Sequence, residues 1–144
     1  MSQSYISLVL RRQIHEYFHG RCAYCHTAIA ITGAHLVFDH IVPEASGGKT
    51  ELTNLCEACH ACNEFKGKQE VAQDPLTGEI VPLFHPHRQP WREQFMWSDD
   101  GTRLIGRSAT GRATILALKM NHPDIVEARA RWVSVGWHPP EEDL

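Results

Sequence analysis

The sequence predicts an α+β fold: a small metal-stapled core, an amphipathic helix before it, and an extension of one hairpin and several helices after it. Three observations predict this. Two Cys-x2-Cys pairs, Cys22/Cys25 and Cys59/Cys62, bracket residues 26–58. Helix-like and strand-like periodicities alternate along the chain, without one type persisting. Beyond residue 70, Asp-Gly, Thr-Gly and several prolines break the chain into short segments.

From Ser4 to His19, Ile6, Leu10, Ile14 and Phe18 recur near helical period, and Gly20 supplies a stop. Residues 34–41 are apolar and β-branched and read as a strand ending at Asp39-His40. Pro43 then opens a loop through Ser46-Gly47-Gly48. Residues 52–55 suit a short strand or a turn, and residues 59–69 a short helix. Asp74-Pro75 and Thr77-Gly78 mark a turn, followed by a strand over residues 80–84. Phe95-Met96-Trp97 and residues 102–105 form a hairpin about Asp100-Gly101. Two helices close the chain, over residues 110–120 with Thr110 as cap, and over residues 123–135 with Pro123 at the first position. The expected division is 1–20 for the leading helix, 21–70 for the core and 71–144 for the extension.

Composition narrows the class. The 144 residues carry a formal charge of -3, so the chain is not a strongly basic nucleic-acid binder. Glu141, Glu142 and Asp143 account for that excess, and ten histidines add positive charge near pH 6. No apolar run approaches the roughly 20 residues that span a bilayer. The start, Met1-Ser2-Gln3-Ser4, lacks the segments of a secretory signal. A cytoplasmic protein with no membrane partner is expected.

In that setting five cysteines, an odd number, point to metal and away from a disulfide framework. Each two-residue gap lets one tight turn present two sulfurs to the same ion, and four thiolates around zinc leave no position open for water. Zn2+ is therefore expected in a structural role. Spacing alone leaves the second pair open, because Cys56-x2-Cys59 is as good a knuckle as Cys59-x2-Cys62.

Between the pairs stand Asp39-His40 and Asn54, and directly after the second pair stands Asn63. Phosphodiester hydrolysis needs an activated water and a cation on the leaving oxygen. A carboxylate beside an imidazole can serve both needs, holding a divalent metal and taking a proton. Asparagines can orient the base or complete the metal site. Taken singly, each of these residues is more ordinary: a hydrogen-bonded pair at a strand end, a turn residue, a helix-end residue.

Together the motifs C-x2-C, D-H-x-x-P, G-G, N-L and C-x2-C-N-x2-K, in order from Cys22 to Lys66, resemble the HNH nuclease family in its zinc-stapled ββα-metal form. The resemblance covers about a third of the chain. It implies that Cys22, Cys25, Cys59 and Cys62 hold structural zinc, since in the family the second knuckle begins five residues after the N-L asparagine. Cys56 is then a small buried side chain. It further implies His40 as general base, Asp39 and Asn63 as ligands of a catalytic Mg2+ or Mn2+, and Asn54 as the residue that orients the base. Asn63 stands where many members carry a histidine, which makes this the H-N-N form. The implied reaction is endonucleolytic hydrolysis of DNA leaving 5'-phosphate and 3'-hydroxyl ends, with RNA left open as a substrate and no oligomeric state assigned.

Lys66 is expected either at a phosphate or on a solvated helix face, and His60 towards solvent or phosphate. His85 and His87 read as surface loop histidines. Trp91, Trp97, Trp132 and Trp137 are expected to pack the extension on itself or on the first helix. Arg103, Arg107 and Arg112 form a candidate phosphate-contacting set around the hairpin. The rival to a nuclease is a non-catalytic zinc module that binds nucleic acid or a protein; Asp39-His40 with Asn63 is what such a module would not require.

Overall fold

Helix α1 (Leu8–Tyr17) begins where Ser7 Oγ accepts a hydrogen bond from the Leu10 amide, in a computed structural model that describes residues 4–144. Met1–Gln3, on which part of the signal-peptide reading fell, lie outside the described residues. The helix is shorter than the expected 4–19 because Ser7 satisfies an orphan amide there and the residues before it stay non-helical. Its apolar stripe is the expected one. Ile6 and Ile14 form a small core with Leu55, against which Leu10, Phe18, Phe38 and Leu52 pack. Each side chain of this size contributes about 1.5–3 kcal/mol when fully buried.

A short helix, α2 (Ile29–Thr32), ends at Gly33 in the left-handed conformation, so the expected strand starts late. Strand β1 (Val37–His40) pairs antiparallel with β2 (Leu55–Ala58), with Asp39 opposite Cys56 and His40 opposite Leu55. Sequence patterning missed β2, reading residues 52–55 as a turn or strand and nothing beyond. A 3-10 turn over Leu52–Asn54 leads into it. All four β2 residues are buried, Glu57 included, so no alternation of polar and apolar residues marks it. Helix α3 (His60–Lys66) follows, capped by Cys59, and packs on β1. The order β1, β2, α3 is the expected ββα core.

Residues 4–68, together with His85–His87, make one compact unit; Gln69–Phe84 and Arg88–Leu144 make a second. The leading helix is thus part of the core unit, and three residues of the expected extension belong there too. His87 was expected at the surface. Its Nε2 instead lies 2.7 Å from the Leu55 carbonyl oxygen, and its ring sits 4.7 Å from Tyr17 and 5.3 Å from Phe18, centroid to centroid.

In the second unit, β3 (Val71–Gln73) pairs with β4 (Ile80–Pro82), and β5 (Phe95–Trp97) with β6 (Leu104–Gly106). The four-residue helix α4 (Trp91–Gln94) leads into β5. The β5–β6 connection carries Asp100-Gly101 as expected, with Gly101 at φ +74°. Helix α5 (Ala109–Ala117) packs on β3, β4 and β6. Its cap is Ser108, whose Oγ accepts from the Gly111 amide, and not the expected Thr110, whose hydroxyl donates to the Pro82 carbonyl. Gly111 lets α5 approach closely: a Cβ there would lie 2.1 Å from the Gln94 carbonyl oxygen. Helix α6 (Pro123–Ser134) starts on its proline as expected.

Trp91 and Trp97 are buried and their rings lie 6.0 Å apart, in keeping with self-packing of this unit. Trp132 is half-buried against His138, at 5.8 Å. Trp137 departs from the expectation and is 59% exposed. Among the described residues no helix is long and apolar enough to cross a membrane.

Candidate metal centre and active site

The first knuckle is a tight turn. The Cys22 amide donates to Thr27 O, the His26 amide donates to Cys22 O, and His26 takes φ +61° to close it. The Ala23 amide donates to Glu57 O and ties the knuckle to β2. In the second, Cys59 caps α3, its Sγ accepting from the Cys62 amide at 3.4 Å. The sulfurs of Cys22, Cys25, Cys59 and Cys62 all lie within 4.8 Å of one another, and those of Cys25 and Cys59 are 3.7 Å apart. A tetrahedron with metal–sulfur bonds of about 2.3 Å has edges of about 3.8 Å, so the four thiols fit a metal of that size. Hydrogen bonds from Cys22, and then from Cys59, hold the Cys25 thiol below its ordinary range, while burial pushes the Cys22 thiol up.

The same geometry decides the register. Cys56 lies in β2 opposite Asp39, outside the cluster. Burial pushes its thiol up to about 12, so it stays protonated, a small buried side chain.

Asp39 and His40 end β1, Asp39 half-buried and His40 buried. Successive strand residues turn to opposite faces, so the two can address one ligand only across the strand's end. Asn63 is half-buried on α3, the helix that packs on β1. A carboxylate and an amide oxygen make a hard donor pair suited to Mg2+ or Mn2+.

Asn54 holds the loop between the strands. Its Oδ1 accepts from the Val42 amide at 2.9 Å, and its Nδ2 donates to the carbonyls of Val42 and Lys49 at 3.0 and 2.9 Å. Its backbone carbonyl accepts from the Ile41 amide. Gly48 lies so close that a Cβ would meet Val42 O at 1.8 Å, which explains one glycine of the Gly47-Gly48 pair; Gly47 has φ +91°.

His40 is held through one ring nitrogen. Nε2 lies 2.9 Å from Thr50 Oγ1 and 3.0 Å from Glu44 Oε1, while the buried Nδ1 has no hydrogen-bond partner among the described residues. Sequence reasoning missed Glu44 and Thr50, since a loop gives no periodicity to bring them onto His40. It also missed Glu57, whose buried carboxylate lies 2.6 Å from His15 Nδ1.

Two expected phosphate contacts are corrected. Lys66 is buried, with Nζ donating to Ile41 O at 3.0 Å, so it neither solvates α3 nor presents its charge at the surface. Arg112 is engaged by Asp74 through two bonds of 2.9 Å. Asp74 is fully buried and also accepts from Leu76 N and Thr77 Oγ1, and these partners, Arg112 foremost, hold its carboxyl well below the usual range. Arg103, Arg107 and His60 are exposed.

Residues 22–73 match the family model described as HNH endonuclease. Over 53 residues, 36% of this chain, the sequence is 42% identical to the CRISPR-associated endonuclease Cas9 of Corynebacterium diphtheriae. The matched stretch spans 5% of that relative's length. No solved structure matches the chain. The ββα order, the four-cysteine cluster and the match to the HNH endonuclease family model all fall on one segment, residues 22–73.

Proposed function

We propose that the chain is a metal-dependent endonuclease that hydrolyses DNA phosphodiester bonds, with His40 as general base. The observation that carries this reading is the state of His40: a buried imidazole beside Asp39, held at Nε2 by acceptors, with Nδ1 unpartnered among the described residues. An unsatisfied buried nitrogen costs about 1–3 kcal/mol, which a purely structural histidine has no reason to carry.

In this reading Nδ1 takes a proton from water as its oxygen attacks phosphorus, and the bond to the 3' oxygen breaks. The 5'-phosphate keeps the attacking oxygen, and the 3' oxygen leaves with the bonding pair and takes a proton from solvent water to end as a hydroxyl. Asp39 and Asn63 would hold one divalent Mg2+ or Mn2+ ion, which when bound supplies charge neutralisation for the leaving oxygen. Asn54 keeps the loop in register with the end of β1, so that the base keeps one position. The four-cysteine cluster would bind Zn2+ in a structural role. DNA as the substrate is supported by the family match, and of the candidate phosphate contacts Lys66, Arg103, Arg107 and Arg112, the exposed ones are Arg103 and Arg107.

Plasmid cleavage with Mg2+ or Mn2+ tests the reading. His40→Ala is expected to lose a hundred- to ten-thousand-fold in rate, about the usual worth of a general base. Equal cleavage by both proteins, or none by the wild type under either metal, would leave the non-catalytic zinc module as the better description.

A further inference from the structure

We propose that Glu44, seconded by Thr50, is a positioning residue for the reaction: it fixes His40 as the tautomer that carries its proton on Nε2 and leaves the Nδ1 lone pair free. The proposal rests on the nuclease reading for its kinetic consequence, but the tautomer itself follows from hydrogen-bond bookkeeping in the loop.

Glu44 Oε1 lies 3.0 Å from His40 Nε2, and Thr50 Oγ1 lies 2.9 Å from the same nitrogen. Thr50 also donates its hydroxyl hydrogen to Glu44 Oε1 at 3.2 Å. That hydrogen is thereby used, so Thr50 faces the imidazole as an acceptor. A carboxylate is an acceptor only. Both neighbours of Nε2 therefore accept, and Nε2 must donate: a lone pair there would face two others at hydrogen-bond distance. With the proton on Nε2, a neutral imidazole has its lone pair on Nδ1, the atom without a partner among the described residues.

Glu44 is itself held. The Ser4 amide donates to both of its oxygens, at 3.1 and 3.3 Å, and these bonds from Ser4, with that from Thr50, keep its carboxyl below the ordinary range. Its carbon skeleton starts the 3-10 turn Glu44–Ser46, next to Pro43, whose ring restricts the backbone where the loop leaves β1. The loop is closed at its other end by Asn54 on Lys49 O. The carboxylate thus has a fixed place against a fixed ring, the arrangement by which a third group orients a base.

The test uses the full zinc-loaded chain in two measurements. In the first, 15N NMR of the histidine rings reads the tautomer of His40, identified by the signal that disappears in His40→Ala. The wild type is expected to show Nε2 protonated, and a predominant Nδ1–H form would overturn the proposal without any variant. In the second, plasmid cleavage compares wild type, Glu44→Ala, Glu44→Gln and Thr50→Val. Glu44→Ala is expected to lower kcat about a hundredfold at unchanged KM, the scale of a misplaced catalytic group. Its His40 signal should move towards a tautomer mixture. Glu44→Gln keeps an acceptor oxygen and should recover part of kcat; Thr50→Val should lose less than Glu44→Ala. Unchanged kcat and unchanged tautomer in Glu44→Ala would also overturn the proposal. If no protein cleaves DNA but the wild-type tautomer is as stated and moves in Glu44→Ala, the nuclease reading has failed while the positioning contact stands.

Discussion

The two units of this chain bury polar groups of comparable cost by different means. The first has a small apolar cluster around Ile6, Ile14 and Leu55, and beside it a set of four thiols that repel one another as thiolates unless a cation sits among them. The second has no such cluster among its described residues. It buries Arg129 and Asp74 completely and gives both of them hydrogen-bond partners from within the unit. Arg129 donates to Thr102 O, Met120 O and Asn121 Oδ1, and its guanidinium lies 5.0 Å from the Trp97 ring centroid. Asp74 takes a two-pronged contact from Arg112. The first unit's four-thiol cluster would take its counter-charge from a bound cation, whereas Asp74 of the second meets its own in Arg112.

The sharpest break of that comparison is metal removal. Structural zinc contributes on the order of 10 kcal/mol in small zinc-bound folds. Chelation, or Cys59→Ser, is expected to abolish hydrogen-exchange protection in β1, β2 and α3 while β5, β6, α5 and α6 keep theirs. Protection lost equally in both units, or in neither, would show that the difference is not one of metal dependence.

A smaller effect is expected from the second unit's buried cation. Arg129→Ala strands three acceptors and empties the space beside Trp97, at a cost on the order of 3 kcal/mol. Thermal unfolding should register the loss in the second unit with the zinc content of the protein unchanged.

Asp74→Asn sharpens the comparison further, because its effect depends on pH. The folded carboxyl is held below its unfolded value of about 3.9, so its stabilisation is complete above that pH and is lost as pH falls through the folded value. The variant should melt several degrees below wild type at pH 6, and the gap should narrow below about pH 3. A gap constant from pH 6 to pH 2 would show that the Asp74–Arg112 contact is not its source.

The smallest effect is expected at the surface. Changing Arg103 and Arg107 together to alanine should weaken DNA binding and reduce its salt slope by no more than about two, one for each phosphate that a guanidinium neutralises. Arg112→Ala should act on stability instead, since its guanidinium is engaged by Asp74. An unchanged affinity and slope in the double variant would remove the hairpin from the DNA-facing surface.

Much of the core was legible in the chain. Cys-x2-Cys spacing is a local property, set by what one tight turn can present, and both knuckles converge as that spacing implies. The Asp39-His40 pair, the Gly47-Gly48 turn and the α1 stripe are likewise short-range patterns, and each appears where its residues suggest. Legibility failed where a side chain's role depends on a distant neighbour. Lys66 carries the residue type of a phosphate contact, yet a carbonyl 25 positions away takes its ammonium into the interior. His87 has the surroundings of a surface loop in sequence, but the Leu55 carbonyl and two aromatic rings of the first unit hold it. Strand β2 has no alternation to read because it is covered on both faces.

By itself, then, the sequence determined the ligand chemistry: which residue types stand at which intervals, and hence that thiols would gather in pairs and that a carboxylate would adjoin an imidazole. Those facts depend on bond lengths and turn geometry over a few residues. Tertiary structure alone decided that Cys56 faces Asp39 from β2, outside the thiol cluster, and that Glu44 and Thr50 close on Nε2 of His40. It also took Lys66 and Arg112 out of the pool of free cations. Such outcomes turn on strand register, burial and long-range hydrogen bonding, in which a charge goes to whichever acceptor the fold leaves within reach, and no local spacing encodes that choice.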